Sequence, residues 1–402
     1  MTQDIVIAGS GFAGMWAAIS AARAIALADR EADVRVTIVS PSPNLAIRPR
    51  LYEANLDDMN PDIAPLLAAV GVRHVAGVIE SIDAEWRRLI VAGTDGVRTV
   101  MSYDKFVLAA GSQLFQPPIP GLADHAFNVD QFAEARRLGA HLESLADRRD
   151  TTARNTVVIA GGGFTGIETA AEMPERLRAI LGDQAAIRVV VVEQAPHIGP
   201  DLGANPRPVI EEALAECGVE IITGAAVTAI DADSVTLSSG ERIATSTVIW
   251  TAGARANPLA AQLAGEKDRF GRVAGDAYLR APDGDIFVTG DVVRAATDDA
   301  GNVAAMSCQH AMSLGRVAGH NAAAELVGLP LHPYSQPRYV TCLDIGPWGA
   351  LFTEGWDREV RLTRETGKAV KREINTRWIY PPAADRDAAF AIAAPDHVIV
   401  AA

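Results

Sequence analysis

Short apolar runs, too brief to be buried helices, alternate along this chain with longer Ala- and Leu-rich stretches at helical spacing. The first run, Ile5 to Ile7, leads into Gly9, Gly11 and Gly14 and then a helical segment from Met15 to Ala28. Val34 to Val39 predicts a second buried strand. Val70 to Val78 and Ser81 to Val91 also read as strands. Glu85, Arg87 and Arg88 interrupt the latter, so the pair predicts an antiparallel ribbon with one wet face. Tyr103 to Ser112 predicts a strand that ends in Ala109, Ala110 and Gly111, small residues that let backbone approach a ligand. Gln116-Pro-Pro-Ile-Pro-Gly121 then predicts a rigid connector.

Beyond that connector the pattern begins again. Thr156 to Ala160 leads into Gly161, Gly163 and Gly166, with Phe164 standing where Phe12 stands in the first copy. Ile187 to Val192 predicts the next strand. Shorter strand-like pieces follow at Val219 to Ile222, Ala226 to Asp231 and Ser234 to Leu237. Thr247-Val-Ile-Trp-Thr-Ala-Gly253 echoes the earlier strand and small-residue turn, and Asp285-Ile-Phe-Val-Thr-Gly-Asp291 is a last buried run closed by a Gly-Asp pair.

Each glycine triplet has the G-x-G-x-x-G spacing between strand and helix that suits a dinucleotide pyrophosphate. The first glycine makes the turn, the second admits the phosphates and the third lets helix pack on strand. Backbone N–H groups at the helix start then face the anion. Such units usually end their second strand on an acid that binds the ribose hydroxyls. The second copy keeps it, as Glu193, with no arginine directly after it, so NADH is expected there and NADPH is disfavoured. The first copy has Ser40 in that place. Its nucleotide is therefore expected to be held by other contacts, with partial cofactor loss on purification. Arg48 and Arg50 lie in the proline-rich loop that follows, either as a solvated basic turn or as an anion or flavin contact.

A length of 402 residues with 49% hydrophobic content allows two to three domains, and a formal charge of -14 argues against nucleic acid. The N-terminus runs straight into the first strand without a cleavable leader, and no apolar stretch reaches the roughly 20 residues of a membrane span. The expected location is cytoplasmic. Three widely spaced cysteines, Cys217, Cys308 and Cys342, form no metal-ligand or disulfide framework, and no metal site is expected.

With these motifs in order, the chain resembles the two-dinucleotide-binding-domain flavoproteins. The segment Pro43 to Glu53, Thr165-Gly-Ile-Glu168 and Cys308-Gln-His-Ala-Met-Ser-Leu-Gly315 are most similar to type II NADH dehydrogenases. The resemblance implies an α/β chain. A split FAD domain (1–116 and 255–330) would surround an inserted NAD(H) domain (117–254), with a small C-terminal α+β capping region at 331–402. FAD would fall to Gly9, Gly11, Phe12, Ala13, Gly14, Ser40, Arg48, Ala110, Gly111, Gly290, Asp291 and Gln309, and NAD(H) to Gly161, Gly163, Thr165, Gly166, Glu193 and Gly253. Glu168, Gln309 and His310 are the implied catalytic residues. Glu168 would lie beside nicotinamide and flavin, and Gln309 would border a quinone. His310 could assist a proton transfer at neutral pH. Ser313 stands where the family has a second glutamine.

The implied reaction passes a hydride from NADH to FAD and then electrons to a quinone-like or aromatic acceptor. No cysteine lies between the first cradle and Cys217, which excludes disulfide reduction of the glutathione-reductase kind. An iron-sulfur partner, a flavin monooxygenase and a non-catalytic NADH sensor are the alternatives. The tail has a basic cluster, Lys368, Lys371, Arg372 and Arg377, but Asp385, Asp387 and Pro395 break any membrane-surface helix after it. Strands and a loop over the flavin, or a homodimer contact, are expected there, with weak membrane association left open.

Overall fold

Two parallel sheets, one begun by each glycine triplet, organise the chain, and the computed structural model describes residues 2–398 of it. Strand β1 (Gln3–Ala8) feeds helix α1 (Phe12–Leu27), and β2 (Val34–Ser40), β3 (Arg73–Asp83), β4 (Arg88–Gly93), β5 (Arg98–Ser102) and β6 (Lys105–Leu108) follow. After β7 (Ser112–Leu114) come β8 (Ala126–Phe127), α2 (Phe132–Ser144), β9 (Thr156–Ala160), α3 (Phe164–Leu181), β10 (Arg188–Glu193), α4 (Arg207–Glu216) and β11 (Val219–Thr223). A small meander, β12 (Val227–Ile230), β13 (Ser234–Leu237) and β14 (Arg242–Ala244), precedes β15 (Thr247–Trp250). The chain then returns through β16 (Ala254–Ala256), β17 (Ile286–Val288) and α5 (Cys308–Val327). It closes with β18 (Val340–Asp344), β19 (Ala350–Glu354), β20 (Glu359–Leu362) and α6 (Arg364–Glu373).

The first sheet runs β17-β6-β1-β2-β3-β4-β5, parallel as far as β3 and antiparallel beyond it. The second runs β11-β10-β9-β15-β8, all parallel. In both, the strand that follows the glycine helix lies on one side of the first strand and the later strand on the other, which opens a crevice at the carboxyl ends. Strand β17 reaches the first sheet from beyond the second, and the ribbon β7/β16 ties the two crossings together.

Helix α1 is buried on nearly every side because it lies between the first sheet and α5. Its sequence, rich in alanine with no charge before Arg23, suits that place. Two glycines of α5 set the approach: a methyl on Gly315 would stand 2.4 Å from the Ala13 carbonyl oxygen, and one on Gly319 would stand 2.0 Å from that of Ala17. Ala311, Leu314, Gly315, Ala318 and Ala322, the face expected from helical spacing, are buried, as is every other residue from His310 to Ala324.

Two expectations change. Ser81 to Asp83 belong to β3, and the charged stretch Glu85 to Arg87 marks a turn with Arg87 at φ +52°, after which Arg88 opens β4, rather than the wet face of one long strand. Lys368, Lys371 and Arg372 of the tail's basic cluster sit on a helix, α6, and Arg377 on the turn that follows it. That helix packs on a three-stranded antiparallel sheet so closely that a methyl on Gly367 would stand 2.1 Å from the Ala350 carbonyl oxygen.

Candidate active site

At the first turn Gly9 has φ +100°, and a side chain there would strike the Ala109 carbonyl at 2.7 Å. A methyl on Gly14 would lie 1.8 Å from the Gly9 oxygen, whereas one on Gly11 would meet nothing within 4 Å. Gly11 is thus the open side of the cradle, where phosphates can approach. The second turn repeats this. Gly161 has φ +117°, Gly166 would clash at 1.9 Å with its carbonyl, and Gly163 faces open space. Both cradles fit a dinucleotide.

The small-residue turns complete the surroundings. Gly290, at φ +70°, lies so close to the start of α1 that an added methyl would be 2.7 Å from the Ala13 Cβ. Asp291 beside it accepts a hydrogen bond from the Ser112 hydroxyl at 2.6 Å, just past Ala110 and Gly111. Arg48 reaches the same group: it is ion-paired with Asp130, donates to Ser112 Oγ at 3.2 Å and lies 3.6 Å from Asp291. Arg48 is therefore no solvated turn. It ties the proline-rich loop to the Gly-Asp turn, through Ser112 and Asp130, which carried no sequence signal.

Ser40 and Glu193 occupy equivalent strand ends and behave differently. The buried Ser40 hydroxyl donates to the Ser42 carbonyl at 2.7 Å and lies 2.9 Å from His74 Nε2. Its hydrogen is committed inside the protein. Glu193 accepts from the Gly162 and Ala195 amides at 2.7 and 2.8 Å and borders a cavity of about 330 Å³ shared with Gly161, Phe115, Trp250 and Gly253.

Helix α5 starts at Ser307, whose hydroxyl accepts from the His310 amide, and its first turn carries Gln309 and His310. Two polar atoms there, Gln309 Oε1 and His310 Nε2, are buried without a partner among the described residues. Such atoms suit a bound group, because leaving them unsatisfied costs free energy. Burial, with Arg358 and Arg272 nearby, pushes the His310 pKa down to about 4. The imidazole is neutral at physiological pH, so the neutral-pH proton transfer expected of it gives way to a hydrogen-bonding role. The Tyr339 ring lies tilted to it at 5.0 Å between centroids, and partly exposed Trp356 lies at 5.9 Å.

Glu168 is paired with a lysine from far along the chain. It is buried on α3, and its Oε1 accepts from Lys371 Nζ at 2.7 Å and from the Asp344 amide at 3.0 Å. Lys371, buried on α6, also donates to the Cys342 carbonyl at 3.0 Å. Burial pushes the Glu168 carboxyl up to about 7, with the Lys371 ammonium pulling the other way. Burial also works against the Lys371 charge, but Glu168 beside it outweighs that and holds the ammonium protonated.

Lys371 forms part of the wall of a second cavity, about 210 Å³, with Tyr52, Glu172, Asp344, Lys368 and Asn375. The Tyr52 hydroxyl and Asn375 Oδ1 in that wall are buried and unpartnered among the described residues. Arg50, the other arginine of the loop, closes one side by bonding Glu53, Tyr380 and the Asn375 carbonyl. No cysteine pair accompanies it. Cys217, Cys308 and Cys342 are free, and burial pushes their thiols up, to about 11 for Cys308 and about 12 for Cys342.

Two glycine cradles on two parallel sheets, joined by a ribbon and capped by a small α+β module, define a two-dinucleotide-fold oxidoreductase. Residues 3–315 match the family model of the pyridine nucleotide-disulphide oxidoreductases, and the chain belongs to that family, whose members work with FAD and NADH. An NADH dehydrogenase-like protein of Mycobacterium tuberculosis is 46% identical over 388 residues, 95% of each chain. The demethylphylloquinone reductase of Synechocystis is 28% identical, covering 87% of this chain and 86% of its own. Among solved structures, NDH2 of Plasmodium falciparum in complex with NADH shares the fold with a TM-score of 0.77 at 13% identity, over 98% and 97% of the two chains.

Proposed function

We propose that this protein is an FAD-dependent NADH dehydrogenase that delivers electrons to a quinone-like or other small aromatic acceptor. The observation that carries the reading is the cavity walled by Lys371, Tyr52 and Asn375, with a buried carboxylate–ammonium pair at its side and no cysteine pair near it. Quinone reduction consumes protons as well as electrons, and a carboxyl that titrates near 7 can hold and release one at neutral pH.

The first cradle would hold FAD through Gly9, Gly11, Phe12, Ala13 and Gly14, with Asp291 on the flavin side. The second would hold NADH through Gly161, Gly163, Thr165 and Gly166, with Glu193 on the ribose. Bound flavin accepts a hydride from NADH and gives up electrons to the acceptor. The chain's own part is positioning. Arg48 and Ser112 orient the Asp291 carboxylate, Glu193 favours an unmodified ribose, and the α5 terminus offers Gln309 and neutral His310 as hydrogen-bonding groups. Lys371 keeps a donor ready at the cavity wall, while the Glu168 carboxyl holds or releases a proton on Oε2, the oxygen that Lys371 and the Asp344 amide leave free. The Tyr52 hydroxyl and Asn375 Oδ1 supply one donor and one acceptor for a neutral ligand.

Stopped-flow reduction by NADH and by NADPH, followed by reoxidation with a panel of quinones, ferredoxin and oxygen, tests this. Faster reduction by NADH and fastest reoxidation by a quinone are expected. Reoxidation faster with ferredoxin than with every quinone would overturn the acceptor assignment.

A further inference from the structure

The second cradle is continued by a loop without helix or strand. Residues 194–206 run from Glu193 at the end of β10 to the start of α4, and Gln194 stands beside Glu193 in the wall of the cradle's cavity. The near end of this loop is built into the cradle. Its Ala195 amide bonds the Glu193 carboxylate, and its Gly199 amide donates to the Gly162 carbonyl at 2.9 Å. Buried Ile198 lies so close that a methyl on Gly162 would stand 2.5 Å from its Cδ1.

The far end is held by another part of the chain. The Asp201 carbonyl accepts a hydrogen bond from Arg358 Nη2 at 2.8 Å, and the Asn205 side chain donates to the Asp357 carbonyl at 2.8 Å. Both partners lie in the turn between β19 and β20 of the capping module. Arg358 stands there at φ +54°, a left-handed conformation that favours glycine and strains a residue with a side chain. Its guanidinium bonds no carboxylate among the described residues. Nη1 donates instead to the Tyr339 hydroxyl at 3.3 Å, and the group lies 5.1 Å from the centroid of that ring. Tyr339 is the ring tilted against His310 at the start of α5, and Trp356 stacks on it at 4.6 Å. One strained side chain thus touches both the loop of the second cradle and the aromatic group beside α5.

We propose that Arg358 is a positioning residue for NADH: by holding the Asp201 carbonyl it keeps the 194–206 loop folded onto the second cradle, so that Glu193 and Gln194 are in place before the nucleotide arrives. This rests on the second cradle being the NADH site. The residue type fits the task. A planar guanidinium can bond a backbone carbonyl and a phenol hydroxyl at once, whereas a lysine offers a single compact charge. The turn itself is fastened to the same tyrosine, because the Gly355 amide donates to the Tyr339 carbonyl at 2.8 Å. A loop already held in its binding shape loses less freedom when the ligand binds, so the contact strengthens NADH binding without entering the hydride transfer. A turn that served only its own hairpin would be less strained with glycine at this position. The arginine is explained by what its side chain reaches.

Arg358→Gly tests this, since it removes the side chain and relaxes the turn at the same time. Stopped-flow reduction of the flavin-loaded protein is expected to reach half-saturation at about tenfold higher NADH, with the limiting rate and the flavin content little changed. Hydrogen exchange in peptides covering 194–206 is expected to be faster in the variant without NADH and to slow toward wild type when NADH saturates. Arg358→Lys, which keeps the charge and one bond, is expected to fall between the two. An Arg358→Gly protein with wild-type half-saturation and exchange overturns the proposal. So does a limiting rate that falls while half-saturation stays, which would place the effect of Arg358 on the α5 side. Glu193→Ala, measured in parallel, separates the latch from its premise. Unchanged NADH binding there would move NADH off the second cradle and take the latch with it, whereas a loss in Glu193→Ala with none in Arg358→Gly overturns the latch alone.

Discussion

Glu168 and Lys371 lie 203 positions apart and form one buried unit. With its carboxyl near 7 in the folded chain against an ordinary 4.5, Glu168 binds more protons folded than unfolded between those values. Stability therefore falls as pH rises from about 4.5 to about 7 and levels off above. Glu168→Gln is expected to flatten that part of the curve, measured by denaturant unfolding across pH; an unchanged slope would show that another group carries it. Lys371→Met removes the ammonium that pulls the Glu168 carboxyl down, so that carboxyl is expected to stay protonated at neutral pH. The cost of an unpaired buried carboxylate, about 3–5 kcal/mol, is then expected only in alkaline denaturant unfolding. At the second cradle, Glu193→Ala removes the acceptor of two backbone amides as well as the expected ribose contact. A charged hydrogen bond is worth about 1.5–3 kcal/mol, so a roughly ten- to hundredfold loss in kcat/KM for NADH is expected, with a smaller loss for NADPH.

At the scale of elements, the contact of α1 with α5 decides where Gln309 and His310 stand. Neither helix could shift to admit a methyl on Gly319, because the atom it would strike at 2.0 Å is backbone. Gly319→Ala is expected to lower stability by about 1–3 kcal/mol, as overpacking does, and to reduce the flavin-to-protein ratio by displacing the first turn of α5. Thermal unfolding and the absorbance ratio read both effects. Retained flavin with lowered stability would place the flavin contacts elsewhere. The helical spacing of Ala311, Leu314 and Ala318 indicated one buried face of α5, but every residue from His310 to Ala324 is buried, and glycines bring the helix within backbone contact of α1. The charged stretch from Glu85 to Arg88 is as compatible with a wet strand as with a turn. Only pairing with β4 resolves it, since β-propensity depends on what lies opposite.

For the molecule as a whole, the second cavity joins parts far apart in the chain: the loop with Tyr52, helix α3, and helix α6 with Lys371 and the turn after it with Asn375. If it receives the acceptor, Tyr52→Phe and Asn375→Leu slow flavin reoxidation by a quinone and leave reduction by NADH unchanged. Single-turnover kinetics separate the two half-reactions, and slowing confined to reduction would remove the cavity from the acceptor path. No helix among the described residues is long and apolar enough to cross a membrane.

The two cradles were legible because they are local. G-x-G-x-x-G between strand and helix needs only neighbouring residues, and its repetition, with Glu193 in the second copy and Ser40 in the first, indicated two nucleotide units and their asymmetry without any tertiary contact. The α/β class was implied by the resemblance that these motifs carry. What tertiary structure alone decided are the pairings. Lys371 meets Glu168, His74 meets Ser40, and Arg48 joins Asp130 and Asp291. The physical reason is range. Backbone turns and amphipathic spacing are set within a few residues, whereas the partner of a buried charge or a strand edge depends on which distant segments the fold brings alongside it.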